Sequence, residues 1–149
     1  MTKPATSIEA IAASCIAGRL RLLNRVVTNL YDDALRPFGV RLSQGNVLAV
    51  TAKLGVARPT QVCEFLEMDT STLSRTVDRM VANGWLEIVP DEDGRSQPFR
   101  LTTEGRRLLQ RTLSAWERAQ AEAGKLLGND GLRLLDAAIG RMKSAHAGA

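Results

Sequence analysis

Apolar side chains in the first forty residues recur at a spacing that predicts a long amphipathic helix. Ser7 can cap its start and Pro37 should end it, which gives a helix of about 29 residues and about 43 Å. Alternating steps of four and three residues form a seam typical of a coiled coil, made of Ile16, Leu20, Leu23, Val27, Leu30 and Ala34. A second stripe lies beside it, at Ile11, Cys15, Leu22 and Val26. So wide a face favours dimerisation, although later helices of the same chain are an alternative cover.

Three shorter helices follow, each opened by a residue that favours a helix start. Ser43 is the expected cap of a helix through residue 54, which Gly55 closes. Pro59 suits the first turn of a helix through about residue 66. Asp69 is the expected cap of a third helix, from Thr70 to about residue 83.

After this third helix the apolar pattern changes to the period of a strand. Residues 85–89 and 98–102 are predicted as a β-hairpin, with a polar turn at 90–97. Thr102 or Thr103 can cap a long helix to about residue 127, residues 128–130 break it, and a last helix closes the chain. The predicted fold class is therefore mainly α with a small β-hairpin wing.

The order helix, tight turn, helix and hairpin between residues 58 and 102 is that of a winged helix-turn-helix. On the second of these helices the polar positions carry small hydroxyls and arginines. Small side chains permit close approach to the major groove of DNA, and Arg75 can reach guanine O6 and N7 together. The predicted DNA-binding residues of this helix are Thr70, Ser71, Thr72, Ser74, Arg75 and Arg79. An ordinary amphipathic helix with a solvated Ser/Thr face remains an alternative.

Arg95 lies at the predicted tip of the hairpin, among small and polar residues that include Ser96. A guanidinium on a thin β-tip fits the minor groove, where the negative potential is strongest. Asp93 can hold either the Arg95 side chain or the turn in position, so Asp93 and Ser96 are the predicted supports of the wing. A plain solvent-exposed hairpin is the alternative.

Two segments carry a family resemblance. Residues 68–86, MDTSTLSRTVDRMVANGWL, resemble the recognition helix of MarR-type transcriptional regulators, and residues 93–105, DGRSQPFRLTTEG, are similar to the wing signature of that family. The upstream segment YDDALRP at 31–37, followed by Gln44, also fits. The family often has an aromatic residue directly after this glutamine, where the present chain has Gly45, so the ligand-binding residues stay unknown.

The resemblance implies a homodimer with N- and C-terminal dimerisation helices that binds a pseudo-palindromic operator in double-stranded DNA. It divides the chain into a dimerisation helix (1–40), a DNA-binding region (41–102) and C-terminal helices that complete the dimerisation domain (103–149). It also implies a repressor that a small aromatic or phenolic effector releases. By the same resemblance, Arg79 would contact a phosphate and Arg95 the minor groove.

Cys15 opens a second interpretation, a thiol-based redox-sensing regulator. Peroxide-sensing members of the family carry a lone reactive cysteine near the start of their first helix, close to the position of Cys15. Their activation uses a tyrosine just before the glutamine equivalent to Gln44, where this chain has Ser43. Cys15 also lies on an apolar stripe, where free cysteine commonly packs as a small hydrophobe. Cys63, on the apolar face of its helix, is interpreted as packing.

Composition excludes several other classes. The two cysteines have no metal-ligand spacing, and the lone histidine, His146, is the fourth residue from the end of the sequence. We find no nucleophile set or Gly-rich phosphate loop, so we expect no enzyme, no cofactor and no metal. No apolar run is long enough to cross a bilayer, and no signal peptide is visible, which predicts a cytoplasmic protein without membrane contact.

The distribution of charge qualifies the DNA-binding interpretation. The net charge of the whole chain is +4, but residues 58–100 carry five basic and eight acidic side chains. The predicted reading lobe is thus the acidic part of the chain, and bulk electrostatics cannot be the argument for DNA binding. The prediction depends on the positions of a few arginines, and a non-specific architectural DNA binder is the remaining alternative.

Overall fold

The computed structural model describes residues 8–148, so the predicted cap at Ser7 lies outside the described residues. The described chain is mainly helical with one two-stranded antiparallel hairpin. Its elements are α1 (Ile8–Ser14), α2 (Ile16–Leu35), a 3-10 turn (Arg36–Phe38), α3 (Leu42–Leu54), α4 (Pro59–Leu66), α5 (Thr70–Ala82), β1 (Leu86–Ile88), β2 (Phe99–Leu101) and α6 (Thr103–Ala147). The predicted fold class, a winged helix-turn-helix in a mainly α chain, is confirmed.

The first long helix is divided where the sequence predicts continuity. Regular helix stops at Ser14 and resumes at Ile16, although the Cys15 N–H still donates to the Ile11 carbonyl at 3.1 Å. The predicted end is confirmed, because α2 stops at Leu35 and Pro37 stands in the 3-10 turn that follows. The prediction of one unbroken helix was therefore wrong at a single residue.

The start of α3 differs from the prediction by two residues. Arg41, not Ser43, is the residue that precedes the helix, and its backbone N–H donates to the Gln44 side chain at 3.0 Å. The same arrangement recurs at α4, where the Arg58 N–H donates to Gln61 at 3.0 Å. A glutamine three residues into a helix can reach back to the backbone of whatever residue precedes it. The cap therefore does not depend on a Ser or Thr, which is why Ser43 was misleading.

Residues 34–118 form one compact unit around a single core. Its largest fully buried side chains include Leu48, Leu73, Met80 and Phe99, contributed by α3, α5 and the hairpin. The hairpin pairs Leu86 with Leu101 and Ile88 with Phe99. An additional bridge, which the sequence did not indicate, joins Ala57 to Phe99 through two backbone hydrogen bonds of 2.8 and 2.9 Å. The wing is thereby attached to the segment between α3 and α4.

The described residues before 34 and after 118 form the second unit. Within it the Tyr31 hydroxyl donates to the Gln120 side chain, and burial raises the pKa of Tyr31. Large apolar side chains on α1, α2 and the last part of α6 remain exposed, with Ile16 at 73% and Leu134 at 68%. Much of the side-chain surface of the predicted seam and second stripe is thus exposed to solvent. The predicted division at residues 40 and 102 stays a prediction.

α6 contains the predicted break in a shorter form. Gly128 has non-helical dihedral angles (φ 68°, ψ 169°), but helix continues on both sides, so the predicted three-residue interruption is a kink at one residue. At the other end the Thr102 hydroxyl accepts from the Gly105 N–H at 3.0 Å, which identifies Thr102 as the cap. No helix between residues 8 and 148 is long and apolar enough to cross a membrane.

Glu67, in the turn between α4 and α5, adopts a left-handed conformation with φ 51° and ψ 49°. A side chain in this region crowds the following carbonyl, which glycine avoids. We expect Glu67→Gly to raise the free energy of unfolding by about 1 kcal/mol, measured by urea titration. Glu64→Gly, in ordinary helix on α4, should lower it by about 1 kcal/mol. Equal losses from both variants would contradict the strain at Glu67.

Candidate nucleic-acid interface

α5 is amphipathic, and its buried and exposed faces are those that the sequence predicts. Leu73, Val77 and Met80 are buried in the core. The opposite face carries the predicted reading residues, of which Thr70, Ser71, Ser74, Arg75 and Arg79 are exposed and Thr72 is half-buried. The helix thus presents a row of hydroxyl and guanidinium groups to solvent.

Asp69 organises the start of α5. Its carboxylate accepts from the Thr72 N–H at 2.8 Å, as the predicted N-cap should. It also accepts from the hydroxyls of Ser71 at 2.7 Å and Thr72 at 2.8 Å. These hydrogen bonds, that of Ser71 first, lower the pKa of Asp69 to about 2, and Arg75 contributes through its charge. The first turn of the helix is therefore tied to an ionised carboxylate.

The depressed pKa of Asp69 predicts how the stability of the fold changes at acidic pH. Because the folded pKa lies below the ordinary value of 3.8, the stabilisation by the ionised cap is complete above that value and is lost as the pH falls towards 2. We expect Asp69→Ala to lower the thermal midpoint near pH 6, and the difference from the wild type to shrink between pH 4 and pH 2. A difference that stayed constant over this range would contradict the assignment.

The base of the wing is held by a cluster of three side chains from two separate segments. The Arg58 guanidinium, just before α4, donates to Asp91 Oδ2 at 3.1 Å and to Ser96 Oγ at 2.8 Å. Ser96 donates in turn to the same Asp91 oxygen at 2.8 Å. The hydrogen bond from Ser96, followed by that from Arg58, lowers the pKa of Asp91. The cluster connects the turn of the hairpin to the start of α4.

Sequence reasoning placed Ser96 near this support but missed Arg58 and Asp91. Asp93, the carboxylate predicted to hold the turn, contributes its backbone N–H to the Asp91 carboxylate. Asp91 and Asp93 stand two residues apart in the same acidic turn, and no local pattern distinguishes them. The only available signal was Arg58, a cation directly before a helix start and isolated from the other charges of its segment.

Arg95 and the exposed face of α5 border a common groove of about 310 Å³ within the winged unit. Arg95 is exposed at the hairpin and lines this groove together with Ser74 and Thr70. The groove is lined by Pro59, Thr60, Thr70, Leu73, Ser74, Val77, Asp78, Ile88, Arg95, Ser96, Gln97 and Phe99. The fold therefore brings Arg95 and Ser96 of the wing to the same groove as Thr70 and Ser74, which are more than twenty positions away in sequence. The other predicted residues of the helix, Ser71, Thr72, Arg75 and Arg79, do not line this groove.

A second cavity of about 220 Å³ lies elsewhere in the same unit. It is mostly apolar, with Trp116 and Leu113 of α6 on one side and Leu42 and Ala49 of α3 on another. Gly45, where the family often has an aromatic residue, also lines it.

The cysteines occupy different environments. Cys15 is exposed, and the Arg19 guanidinium one turn away donates to the Ala13 carbonyl at 3.1 Å. Cys63 is half-buried and packs against the core, in agreement with its predicted packing role. Among the described residues no group of three His, Cys, Asp or Glu side chains could hold a metal ion.

Comparisons with known proteins agree with this geometry. A sequence profile of the MarR family matches residues 38–96. The multiple antibiotic resistance protein MarR of Escherichia coli is 31% identical over 90 residues, which cover 59% of this chain and 62% of that protein. The HTH-type transcriptional regulator YwoH of Bacillus subtilis is 30% identical over 80 residues, covering 54% and 58%. The chain thus spans about three-fifths of the length of these curated relatives.

Solved structures extend the likeness to most of the chain. A cysteine-to-serine mutant of Escherichia coli MarR in complex with operator DNA aligns with a TM-score of 0.80 and 22% identity, covering 91% of this chain and 99% of that one. The Mycobacterium tuberculosis regulator MosR in complex with DNA aligns with a TM-score of 0.77 and 27% identity, covering 89% and 98%. Residues 38–96 thus match the sequence profile of the MarR family, and the fold resembles that of solved MarR over most of the chain.

Proposed function

We propose that this protein is a sequence-specific, dimeric DNA-binding regulator of transcription. The observation that carries the proposal is the common groove, which Arg95 of the wing lines together with Thr70 and Ser74 of α5. In a winged helix-turn-helix such a helix enters the major groove, and a guanidinium beside it suits the adjacent minor groove. Thr70, Ser71, Ser74 and Arg75 then read base edges, and Arg79 contacts a phosphate.

The dimer is supported by apolar surface in the unit outside residues 34–118. Exposed side chains there are Ile8, Ile11, Ile16, Leu20, Leu22, Val26, Leu126, Leu132, Leu134, Ile139 and Met142. So many large apolar groups are typical of a surface that another chain covers. A two-fold dimer presents two reading lobes, so its operator is pseudo-palindromic, with half-sites about 34 Å apart or a multiple of that spacing.

Few cations face the DNA in this arrangement, since residues 58–100 carry more acidic than basic side chains. Affinity for DNA then comes from a small number of phosphate contacts together with base contacts. We expect modest non-specific binding with a shallow dependence on salt. This balance favours a regulator with a defined site over an architectural binder, which depends mainly on phosphate contacts and on the deformability of DNA.

Selection of genomic DNA fragments with the purified protein tests the proposal. Sequencing of the bound fragments should return one motif with two related halves, and footprinting should protect both. At the same salt concentration, the selected duplex should bind far more tightly than random duplexes of equal length. Equal affinity for both would overturn sequence-specific regulation in favour of architectural binding.

We further propose that the protein is a repressor released by a small aromatic or phenolic effector bound in the cavity at Trp116 and Gly45. A volume of about 220 Å³ accepts a single ring, and its apolar lining with Thr112 and Asn46 offers a few polar contacts. This apolar cavity is the observation that favours effector control over redox control through the exposed Cys15.

Phenol is a suitable probe of the effector class. We expect phenol to weaken operator binding by the wild type, and Ala49→Leu, which narrows the cavity, to reduce that response while leaving operator affinity unchanged. Peroxide treatment of the wild type and of Cys15→Ser tests the redox alternative. Release by peroxide in the wild type alone would favour the cysteine over the cavity.

A further inference from the structure

We infer that Asp69 determines base specificity by fixing the Ser71 hydroxyl as a hydrogen-bond acceptor towards DNA, so that Ser71 selects adenine or cytosine. The inference rests on the proposed DNA-binding function and assigns a role to a residue outside the predicted reading set. Asp69 acts through Ser71 and is therefore a positioning residue.

The hydrogen bonds at the start of α5 set the direction of the Ser71 hydroxyl. A serine hydroxyl has one proton to donate and two lone pairs with which to accept. The Ser71 proton is directed to Asp69 Oδ1 at 2.7 Å. The pKa of about 2 keeps Asp69 ionised at neutral pH, so the carboxylate accepts and cannot donate in return. The exposed side of the Ser71 oxygen therefore presents lone pairs to a partner.

The major-groove edges of the four bases distinguish donors from acceptors. Adenine N6 and cytosine N4 donate, whereas guanine O6 and N7 and thymine O4 accept. A hydroxyl free to rotate can bond to either kind, which is why serine alone is a poor discriminator. A hydroxyl whose proton already donates to a carboxylate can only accept, so it bonds only to adenine N6 or cytosine N4. The Asp69 contact therefore converts a tolerant side chain into a selective one.

Two substitutions at residue 69 separate this role from capping. Asp69→Gly places at the N-cap a residue that helices tolerate there, but it removes the carboxylate that accepts from Ser71. The Ser71 hydroxyl is then free to rotate. Asp69→Asn keeps an oxygen in the place of Oδ1, which accepts from both the Thr72 N–H and the Ser71 hydroxyl. Its amide nitrogen takes the place of Oδ2 and donates to the Thr72 hydroxyl, which in the wild type donates to Oδ2. Asp69→Asn is therefore the matched control.

The test is selection from randomised duplexes with the full chain, followed by affinity measurements on single-base variants of the selected site. Ser71→Ala identifies the base pair that Ser71 contacts, as the position where its selected motif differs from that of the wild type. At this position we expect the wild type to prefer adenine or cytosine over guanine or thymine by about fivefold. The preference should be lost in Asp69→Gly and retained in Asp69→Asn.

The outcomes separate the inference from the function on which it rests. Loss of one negative charge in either variant raises the affinity for all sequences alike, so the ratio between bases is the decisive quantity. Failure of the wild type to select any motif overturns both proposals. A selected motif with equal base ratios in the wild type and Asp69→Gly, or a Ser71-dependent preference for guanine or thymine, overturns the role of Asp69 alone. Circular dichroism confirms that each variant is folded.

Discussion

Gly105→Ala should destabilise the winged unit by about 3 kcal/mol or more. A Cβ atom at Gly105 would lie 2.0 Å from the carbonyl oxygen of Trp85 and 2.9 Å from its carbonyl carbon. Both are backbone atoms and closer than any side-chain contact allows, so no rotamer change relieves the overlap. Either α6 or the start of the wing has to move.

The backbone around Trp85 has little room to move. Its N–H donates to the Met80 carbonyl at 2.9 Å, and its carbonyl accepts from the Thr102 N–H at 3.1 Å. The Thr102 hydroxyl also donates to the Gly84 carbonyl at 2.5 Å. A shift that accommodates the methyl group therefore breaks bonds that attach the end of α5 and the wing to the start of α6, which is why the expected loss is large.

Urea unfolding, followed by circular dichroism, measures the effect. Gly124→Ala is the matched control, because Gly124 lies in the same helix with nothing within 4 Å of the added carbon. It should increase stability by about 0.5–1 kcal/mol, since alanine is the better helix former. A loss of less than about 1 kcal/mol in Gly105→Ala would show that the junction is more plastic than the contact distances indicate.

Features with a repeating pattern were predictable from the sequence. α4 and α5 occur where apolar spacing and start residues place them, because Pro59 and Asp69 act on their own local backbone. The hairpin follows from a change of period after α5. Gly105 belongs to the wing signature in the sequence, but only the Trp85 carbonyl beside it explains why a larger residue is excluded.

Features that depend on one long-range contact were not predictable. The bridge of Ala57 to Phe99 involves a single residue pair and leaves no periodic trace. The choice of Asp91 over Asp93 as the partner of Arg58 depends on how the turn folds back onto α4. The start of α3 depends on a glutamine side chain that reaches backwards, so the residue at the cap itself carries no signal. The sequence thus predicted which face of α5 is exposed, but not which side chains support the wing.

Arg75→Ala should weaken binding to the selected operator by about 1–3 kcal/mol and leave binding to random DNA mostly unchanged. Arg75 is exposed on α5, one turn beyond Ser71, and is close enough to Asp69 to help lower the pKa of that carboxyl. A guanidinium donates two parallel bonds to guanine, so even Arg75→Lys should lose much of the discrimination at that base.

Arg79→Ala is the control on the same helix. If Arg79 contacts a phosphate, its loss weakens binding to DNA of every sequence by the same factor. It also reduces the slope of log affinity against log salt concentration by about one. Arg75→Ala should instead relax the preference at one base pair in each half-site, because a lost base contact removes information as well as affinity. Affinity measurements on operator and random duplexes at several salt concentrations distinguish the two patterns. If both variants lose affinity uniformly, α5 binds the backbone rather than the bases, and specificity must come from the Arg95 wing or from the shape of the DNA.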